Sequence, residues 1–360
     1  MTAQKNAAEW DVVVVGGGVA GLSGALTLAR ARRSVLVVDA GEPRNAPASA
    51  AHGLLSRDGV PPLELLRAGR EEITGYGGRI VSGRAVAARR ADDCFVVETA
   101  SGDSFSARRL LVTTGLVDQL PEVPRVRERW GRDVLHCPYC HGWEVRDVPI
   151  GVLAGGPTSM HQALLFRQWS SQVTYFIHTA EDPSEEEWER LAARGISVVD
   201  GEVTGLEVRD DQLAGVRLSS GRRVPARALV VAPRFVARSE VLSGLGVTAV
   251  EHPMGVGAYV ESDATGRTAA AGVWVAGNIT DLMAGVPAAA GAGVQAAVAI
   301  NADLVTADTD DAVARRRAVP RGELTDAFSP ASEAAVCERV LGERRHGLDT
   351  LLRSADRARR

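Results

Sequence analysis

A glycine triplet between two short apolar strands is the feature that most constrains this chain. Residues 11–15 form an apolar stretch typical of a strand, and Gly16-x-Gly18-x-x-Gly21 follows directly. A helical stretch and a second apolar strand come next, and that strand leads into Asp39. Gly16 permits a tight turn, Gly18 lets a phosphate approach the backbone, and Gly21 allows the helix to pack closely on the strand. This order of elements therefore predicts a βαβ unit that binds a dinucleotide.

The same layout occurs a second time along the chain. Residues 150–154 and 173–177 are strand candidates, separated by Gly155-Gly156 and a helical stretch, and a β-meander pattern follows each βαβ unit. Strands that alternate with helices indicate an α/β fold. The chain has 360 residues, which is more than one domain usually holds. We therefore predict an α/β fold with two Rossmann-like dinucleotide-binding domains, each a three-layer ββα arrangement.

Composition and charge exclude several classes of protein. The formal net charge is −4 and the aromatic share is 4%, which argues against a general nucleic-acid binder. The residues before Trp10 are polar, so no secretory signal is predicted. The longest stretch of small apolar residues, 286–300, is too short to span a bilayer. We expect a soluble, cytoplasmic protein with neither a nucleic-acid nor a membrane partner.

Two cysteines two residues apart lie between two histidines, in the run His136-Cys137-Pro138-Tyr139-Cys140-His141. In a reducing compartment such a pair is more typical of catalysis or metal binding than of a structural disulfide. A neighbouring imidazole can lower the pKa of a thiol or carry its proton. Cys137, Cys140, His136 and His141 are therefore the candidate catalytic residues, although either histidine alone could merely pack or cap. No second Cys/His pair at ligand spacing appears in the sequence, so we predict no metal site.

These motifs together resemble the low-molecular-weight thioredoxin reductase family of flavoproteins. The resemblance runs from about Asp11 to Asp303, and its carriers are the glycine triplet, Asp39, Thr113-Thr114-Gly115, the cysteine pair and Gly277-Asn278. It implies bound FAD and a homodimer. It also implies that the second domain is inserted into the first: residues 1–117 and 247–305 form the FAD-binding domain, and 118–246 the inserted domain with the cysteine pair. The tail, residues 306–360, lies outside the resemblance, and its charged sequence pattern predicts helix.

The resemblance also assigns roles to single residues. Cys140 becomes the thiol on the flavin side, and Cys137 becomes the thiol that exchanges with substrate. The N-terminus of the helix near Val286 would face the flavin. The FAD-binding residues implied by the resemblance are Gly16, Gly18, Gly21, Asp39, Ala40, Asn45, Val86, Thr114, Gly115, Asn278, Val286 and Ala288.

Two departures from the family pattern stand out. In the second glycine turn, Pro157 replaces the glycine that lets phosphate approach, and Met160 replaces a small residue. Where NADPH-using members carry arginines for the 2′-phosphate, residues 179–182 read Thr-Ala-Glu-Asp, which would repel a phosphate. We therefore predict a degenerate NADPH site. The second departure is Asn278, where the family usually has Asp; Asn can still accept a hydrogen bond and can also donate one.

A thioredoxin-reductase-like chain without an NADPH site resembles the dithiol oxidases that close disulfides in natural products of the gliotoxin and holomycin type. The resemblance implies an enzyme that oxidises a small dithiol through its cysteine pair and passes the electrons to FAD and then to O₂. One alternative is a thioredoxin reductase fed by NADPH or by a ferredoxin-like donor. Another is a non-enzymatic flavoprotein that acts as a sensor or partner subunit.

Overall fold

The computed structural model of the protein describes residues 8–318 and 330–341. Two compact units are distinguished, one that ends at Ala302 and one that begins at Asp303. Strands and helices alternate through the first unit, so the predicted α/β class is confirmed. The predicted domain boundaries near residues 117 and 247 stay a prediction.

The first sheet has seven strands and carries the glycine triplet at the end of its first strand. The strands are β1 (Trp10–Val15), β2 (Val35–Asp39), β3 (Arg79–Ser82), β4 (Ala85–Ala91), β5 (Cys94–Thr99), β6 (Ser104–Val112) and β19 (Val273–Val275). Their order is β3-β2-β1-β6-β5-β4, and β19 pairs in parallel with β6. Helices α1 (Val19–Arg30) and α2 (Pro62–Gly75) follow β1 and β2. Because β19 comes from late in the chain, this sheet is built from both ends of the first unit.

The second sheet has five strands, and all of its pairings are parallel. In chain order the strands are β8 (Val134–Leu135), β9 (Ile150–Leu153), β10 (Val173–Phe176), β11 (Ser197–Val199) and β15 (Ala228–Val230). The helices between them are α4 (Pro138–His141), α5 (Ser159–Phe166) and α6 (Glu185–Ala193). An antiparallel meander of β12 (Val203–Arg209), β13 (Gln212–Leu218) and β14 (Arg223–Pro225) precedes the last strand. The second βαβ-plus-meander layout is thus present.

A four-stranded sheet stands where the chain leaves the first sheet and where it returns. We name it the linking sheet, and its strands are β7 (Leu116–Gln119), β16 (Arg234–Ala237), β17 (Ala249–Glu251) and β18 (Gly257–Val260). Strands β7 and β16 pair antiparallel, and their register places Phe235 opposite Asp118. A short helix α3 (Val126–Arg129) follows β7, and 3₁₀ turns occupy Glu240–Leu245 and Gly277–Ile279. Two residues of the linking sheet, Asp118 and Phe235, both contact the side chain of Arg44.

Valine-rich strands form the centre of each parallel sheet. Residues 12–14 of β1 and 35–37 of β2 are completely buried, as expected for parallel strands covered on both faces. Trp274 and Phe95 are the largest side chains of this first core. Phe166 and Phe176 are the corresponding buried aromatics around the second sheet. These cores fix the two glycine turns at the carboxyl ends of their strands, where α/β proteins bind ligands.

The apolar stretch that begins at Val286 is part of a longer helix than the sequence indicated. Helix α7 covers Val286–Ala318, and by length and composition alone it could cross a membrane. Its N-terminal part packs closely on α1, since a Cβ built on Gly293 would lie 2.0 Å from the carbonyl oxygen of Ala20. Such packing is typical of a core helix. Of the predicted tail, residues 306–318 belong to α7 and Pro330–Leu341 form α8, while the rest lies outside the described residues.

Candidate functional site

A cavity of about 830 Å³ brings the predicted cofactor and redox residues together. Its walls come from the first sheet, the linking sheet and the segment around α4. The predicted residues that line it are Gly16, Gly18, Asp39, Ala40, Asn45, Val86, Thr114, Gly115, His136, Cys137, Cys140, His141, Asn278 and Val286. Gly21 and Ala288 lie outside the lining: Gly21 is buried in the turn, and Ala288 is exposed beside Ala289, which does line the cavity.

The glycine turn has the geometry that a pyrophosphate needs. Gly16 has φ of +103°, which glycine adopts without strain. A Cβ on Gly21 would lie 2.0 Å from the carbonyl oxygen of Gly16, whereas a Cβ on Gly18 would meet no atom within 4 Å. The first intrahelical bond of α1 runs from Leu22 N–H to Gly18 O (2.9 Å), so the amides of the first turn have no acceptor within the helix. Gly18 therefore leaves open space beside free N–H groups, and a phosphate group fits there.

Asp39 lies at the end of β2 with both carboxylate oxygens already engaged. Its Oδ1 accepts from the backbone N–H of Gly17 (3.0 Å), and its Oδ2 accepts from Arg70 of α2 (2.7 Å). Each oxygen keeps a further lone pair for a ribose hydroxyl. The sequence analysis missed Arg70, because no local pattern connects position 70 on α2 with the end of β2.

Asn278 uses its side-chain amide within the protein. Its Nδ2 donates to the carbonyl oxygens of Asp281 (2.9 Å) and Ala284 (3.0 Å), and its Oδ1 accepts from Arg44 (3.5 Å). An aspartate could not make the two donor bonds. Asn278 therefore holds the segment that leads into α7, and its predicted contact with the flavin ribityl chain stays a prediction.

The cysteine pair lies on the single helical turn α4. Cys137 precedes the turn, Pro138 occupies its first position, and the sulfur atoms of Cys137 and Cys140 lie 2.7 Å apart as free thiols. The pKa of Cys137 is lowered to about 7, chiefly because the thiol of Cys140 donates a hydrogen bond to its sulfur. The pKa of Cys140 is raised, because its proton is held in that bond and because burial disfavours its thiolate. Cys137 is therefore the more readily ionised thiol of the pair.

Both histidines are neutral at physiological pH. Burial lowers the pKa of His136 to about 4, and the positive charge of Arg44 acts in the same direction. The His136 ring packs against Trp130 (5.8 Å between centroids) and edge-on to Phe235 (5.6 Å). Burial also lowers the pKa of His141. A neutral imidazole can accept a proton, although burial that lowers the pKa of His136 to about 4 also makes it a weak base.

Arg44 lines the cavity but was not among the predicted site residues. Its guanidinium makes a two-point bond to Asp118, with Nε–Oδ2 at 2.8 Å and Nη2–Oδ1 at 2.6 Å. It also lies over the ring of Phe235, 5.3 Å from the centroid. Asp118 and Phe235 face each other across the linking sheet, so Arg44 is held by two strands that are distant in sequence.

In the second glycine turn, unlike the first, a side chain of the protein occupies backbone amides that a phosphate would use. The hydroxyl oxygen of Ser159 accepts hydrogen bonds from the backbone N–H groups of Gly155 (3.2 Å) and Gly156 (3.1 Å). Ser159 is itself buried at the start of α5. Pro157 has no N–H, so two of the donors that a phosphate would use face a hydroxyl and a third is missing. Within residues 8–318 and 330–341, no cluster of three or more metal-ligating side chains occurs.

The family model described as pyridine nucleotide-disulphide oxidoreductase matches residues 10–297. The chain is 35% identical over 185 residues to thioredoxin reductase tcpT of Claviceps purpurea, a match that covers 49% of this chain and 58% of that protein. It thus spans little more than half the length of this curated relative. Two solved structures match more completely.

The crystal structure of HlmI is 44% identical with a TM-score of 0.81, and it covers 86% of this chain and 98% of that one. An oxidoreductase from Agrobacterium tumefaciens is 36% identical with a TM-score of 0.78, covering 82% and 99%. These matches confirm the predicted thioredoxin-reductase-like, two-domain dinucleotide-binding fold. The chain belongs to the pyridine nucleotide-disulphide oxidoreductases, a family of FAD-binding flavoproteins that act on sulfur groups.

Proposed function

We propose that this protein is an FAD-dependent dithiol oxidase that closes an intramolecular disulfide in a small dithiol, with O₂ as the final acceptor. The observation that carries the proposal is the shared cavity: a low-pKa and a high-pKa cysteine open into the same space as a dinucleotide-binding glycine turn. A homodimer, a cytoplasmic location and residues 118–246 as the inserted domain remain parts of the proposal.

The chain's own residues would hold the cofactor and the substrate in that space. The free amides beside Gly18 suit the pyrophosphate, and Asp39 suits the adenosine ribose. When bound, FAD would supply the two-electron redox chemistry that links the reduced cysteine pair to O₂, with hydrogen peroxide as the product.

Cys137 exchanges with the substrate when the pair is a disulfide. One substrate thiolate attacks the sulfur of Cys137, so a mixed disulfide forms and Cys140 leaves. The second substrate thiolate then attacks the substrate sulfur of that mixed disulfide, the cyclic disulfide forms, and Cys137 leaves as a thiolate. A leaving thiol with a low pKa accelerates this second displacement, which suits a Cys137 pKa of about 7.

His136 and His141 accept the protons that the substrate thiols release. Both line the cavity, and both have a lowered pKa and are therefore neutral when the reaction begins. A neutral imidazole can take up a thiol proton, and a base works best when its pKa lies near the working pH, so a pKa of about 4 makes His136 a weak base.

The second glycine turn supports an oxidase rather than an NADPH-fed reductase. Its two remaining amides donate to Ser159, Pro157 offers none, and the acidic residues of the α6 region lie beyond β10. A nicotinamide phosphate would have to displace Ser159 and approach negative charge. The alternative of a thioredoxin reductase stays open because relatives such as tcpT carry that name.

Anaerobic titration of the purified holoenzyme tests the proposal. Dithiothreitol is expected to bleach the flavin absorbance, whereas 1 mM NADPH is not; on admission of air, dithiothreitol should drive oxygen uptake and peroxide formation. Cys137→Ser should abolish the bleaching by dithiothreitol, and Cys94→Ser, a buried cysteine away from the cavity, is the matched control. Rapid bleaching by NADPH would favour the reductase, and bleaching by neither would favour a non-enzymatic flavoprotein.

A further inference from the structure

We propose that Arg44 is a positioning residue of the dithiol reaction: its fixed positive charge stabilises the thiolate that forms in the Cys137–Cys140 pair. The inference rests on the proposed exchange role of Cys137. It starts from a cation in the redox cavity that no motif of the sequence explains.

Arg44 is held rigidly by Asp118 and Phe235. Asp118 binds its guanidinium at two points and is itself only 7% exposed, while Arg44 is 24% exposed. Bidentate pairs of this kind fix the plane of the guanidinium as well as its position. The ring of Phe235 beneath it provides a third contact. Such a guanidinium does not need to reorganise when charge appears nearby, which is the property of an effective electrostatic group.

A shared cavity and a shared aromatic contact connect Arg44 with the redox segment. Arg44, His136, Cys137 and Cys140 all line the same cavity. Phe235 contacts the Arg44 guanidinium and the His136 ring, and His136 is the chain neighbour of Cys137. The positive charge of Arg44 acts to lower the pKa of both cysteines and of His136. The fixed positive charge of Arg44 thus favours the thiolate forms of the two cysteines and the neutral form of His136.

The charged and titratable side chains that act on the pKa values of the pair and of its two flanking histidines are Arg44, Asp118, His52, His136, His141 and Glu144. Arg84 and Arg238 also line the cavity, but their charges act on Glu42. His52 contacts Glu144 at 3.4 Å and Asp58 at 3.3 Å, so its position is tied to carboxylates. His136 and His141 are uncharged at neutral pH. Arg44 is therefore the permanent cation of this set, and Asp118 is its counter-ion.

The test measures the ionisation of Cys137 directly, without relying on turnover. The reduced holoenzyme is alkylated with iodoacetamide between pH 5 and pH 10, and modification of Cys137 is followed by mass spectrometry of its peptide. Arg44→Gln is expected to move the midpoint to higher pH and to slow alkylation at pH 7 by about threefold, because only the thiolate reacts. Arg44→Lys keeps the charge and should keep the midpoint near that of wild type.

Matched controls separate charge from structure. Arg223→Gln removes an arginine paired with Glu207 (2.9 Å) on a different sheet and should leave the midpoint unchanged. Asp118→Asn removes the counter-ion but keeps Arg44, so the midpoint should move to lower pH. This variant carries the test if Arg44→Gln does not fold.

Specific outcomes would overturn the proposal. An unmoved midpoint in folded Arg44→Gln, an equal shift in Arg44→Lys, or an unmoved midpoint in Asp118→Asn would each reduce Arg44 to a structural link between its loop and the linking sheet. Because alkylation reports the thiol alone, a failure here is distinguishable from a failure of the oxidase proposal, which appears as missing oxygen uptake in the wild-type protein.

Discussion

Two glycines of the first turn should respond in opposite ways to the same added methyl group. Gly18 and Gly21 are three residues apart, and both are positions of the dinucleotide fingerprint. Gly18 has φ of −73° and ψ of 179°, which alanine adopts freely, and its Cβ would meet no atom within 4 Å. A Cβ on Gly21 would lie 2.0 Å from Gly16 O and 2.5 Å from Thr113 Oγ1. We therefore expect Gly18 to serve a bound dinucleotide and Gly21 to serve the packing of α1 on β1.

The magnitudes follow from these distances. Gly21→Ala forces the helix away from a backbone carbonyl, and overpacking of this kind costs on the order of 1–3 kcal/mol or more of unfolding free energy. Gly18→Ala should leave the unfolding free energy within about 1 kcal/mol of wild type, with any gain coming from a less flexible unfolded chain. Its methyl group occupies the space where a pyrophosphate approaches the backbone, so FAD affinity should fall by about tenfold or more, which corresponds to ~1.4 kcal/mol.

The assay compares the two variants in the same way. Urea denaturation of the flavin-free proteins, followed by circular dichroism, gives the unfolding free energies, and flavin fluorescence during FAD titration gives the dissociation constants. The expected pattern is a normal fold with weak FAD binding for Gly18→Ala, and lost stability for Gly21→Ala. If flavin-free Gly18→Ala lost as much stability as Gly21→Ala, or if it bound FAD like wild type, the separation of roles would be refuted.

Four further outcomes are expected. Cys137→Ser and Cys140→Ser should each lower dithiol turnover by more than about tenfold, ~1.4 kcal/mol of barrier, while FAD stays bound; oxygen uptake and flavin absorbance check this. Replacing both His136 and His141 by Ala should slow dithiol oxidation by about a hundredfold at neutral pH and by less at alkaline pH, where substrate thiols ionise unaided. Because the Cys137 pKa is lowered to about 7, its alkylation rate should rise only about twofold between pH 7 and 9, against ~25-fold for a thiol with the ordinary value of ~8.5. Asn278→Asp loses two donor bonds and should cost on the order of 1–3 kcal/mol of stability, measured by urea denaturation.

The parts of the fold that the sequence predicted are those encoded by local patterns. The strands that precede Gly16 and Gly155 are short apolar runs, and each is followed by a glycine turn. These two local signals were enough to locate both βαβ units. The linking sheet escaped prediction because its strands have only three or four residues, too few to show a period. The second half of α7 was predicted as helix, but as part of a separate tail, because no apolar stripe continues from the small-residue half into this polar half.

The residues of the candidate site also fall into two groups: those that belong to short sequence motifs and those that only the fold brings together. Gly16, Gly18, Asp39 and the cysteine pair belong to short sequence motifs, and all of them line one cavity, whereas Gly21 is packed against the carbonyl oxygen of Gly16. Arg44 could not be found in this way, because its partners come from β7 and β16, and only the register of the linking sheet brings them together. Ser159 was visible in the sequence as part of an unusual turn. Its hydroxyl could be recognised as the acceptor for two turn amides only from the geometry.

The two thiols of the redox segment differ in how readily they ionise. A pair in which Cys137 ionises easily and Cys140 does not has one sulfur suited to leave a mixed disulfide and another that retains its proton. A reductase that drives electrons outwards needs a proton donor beside the leaving substrate thiolate, and a protonated histidine would supply it. Here burial lowers the pKa of His136 and of His141, so neither is charged at neutral pH. In the proposed oxidation the substrate arrives with two thiol protons, which neutral imidazoles can accept and, with their lowered pKa values, release again to solvent.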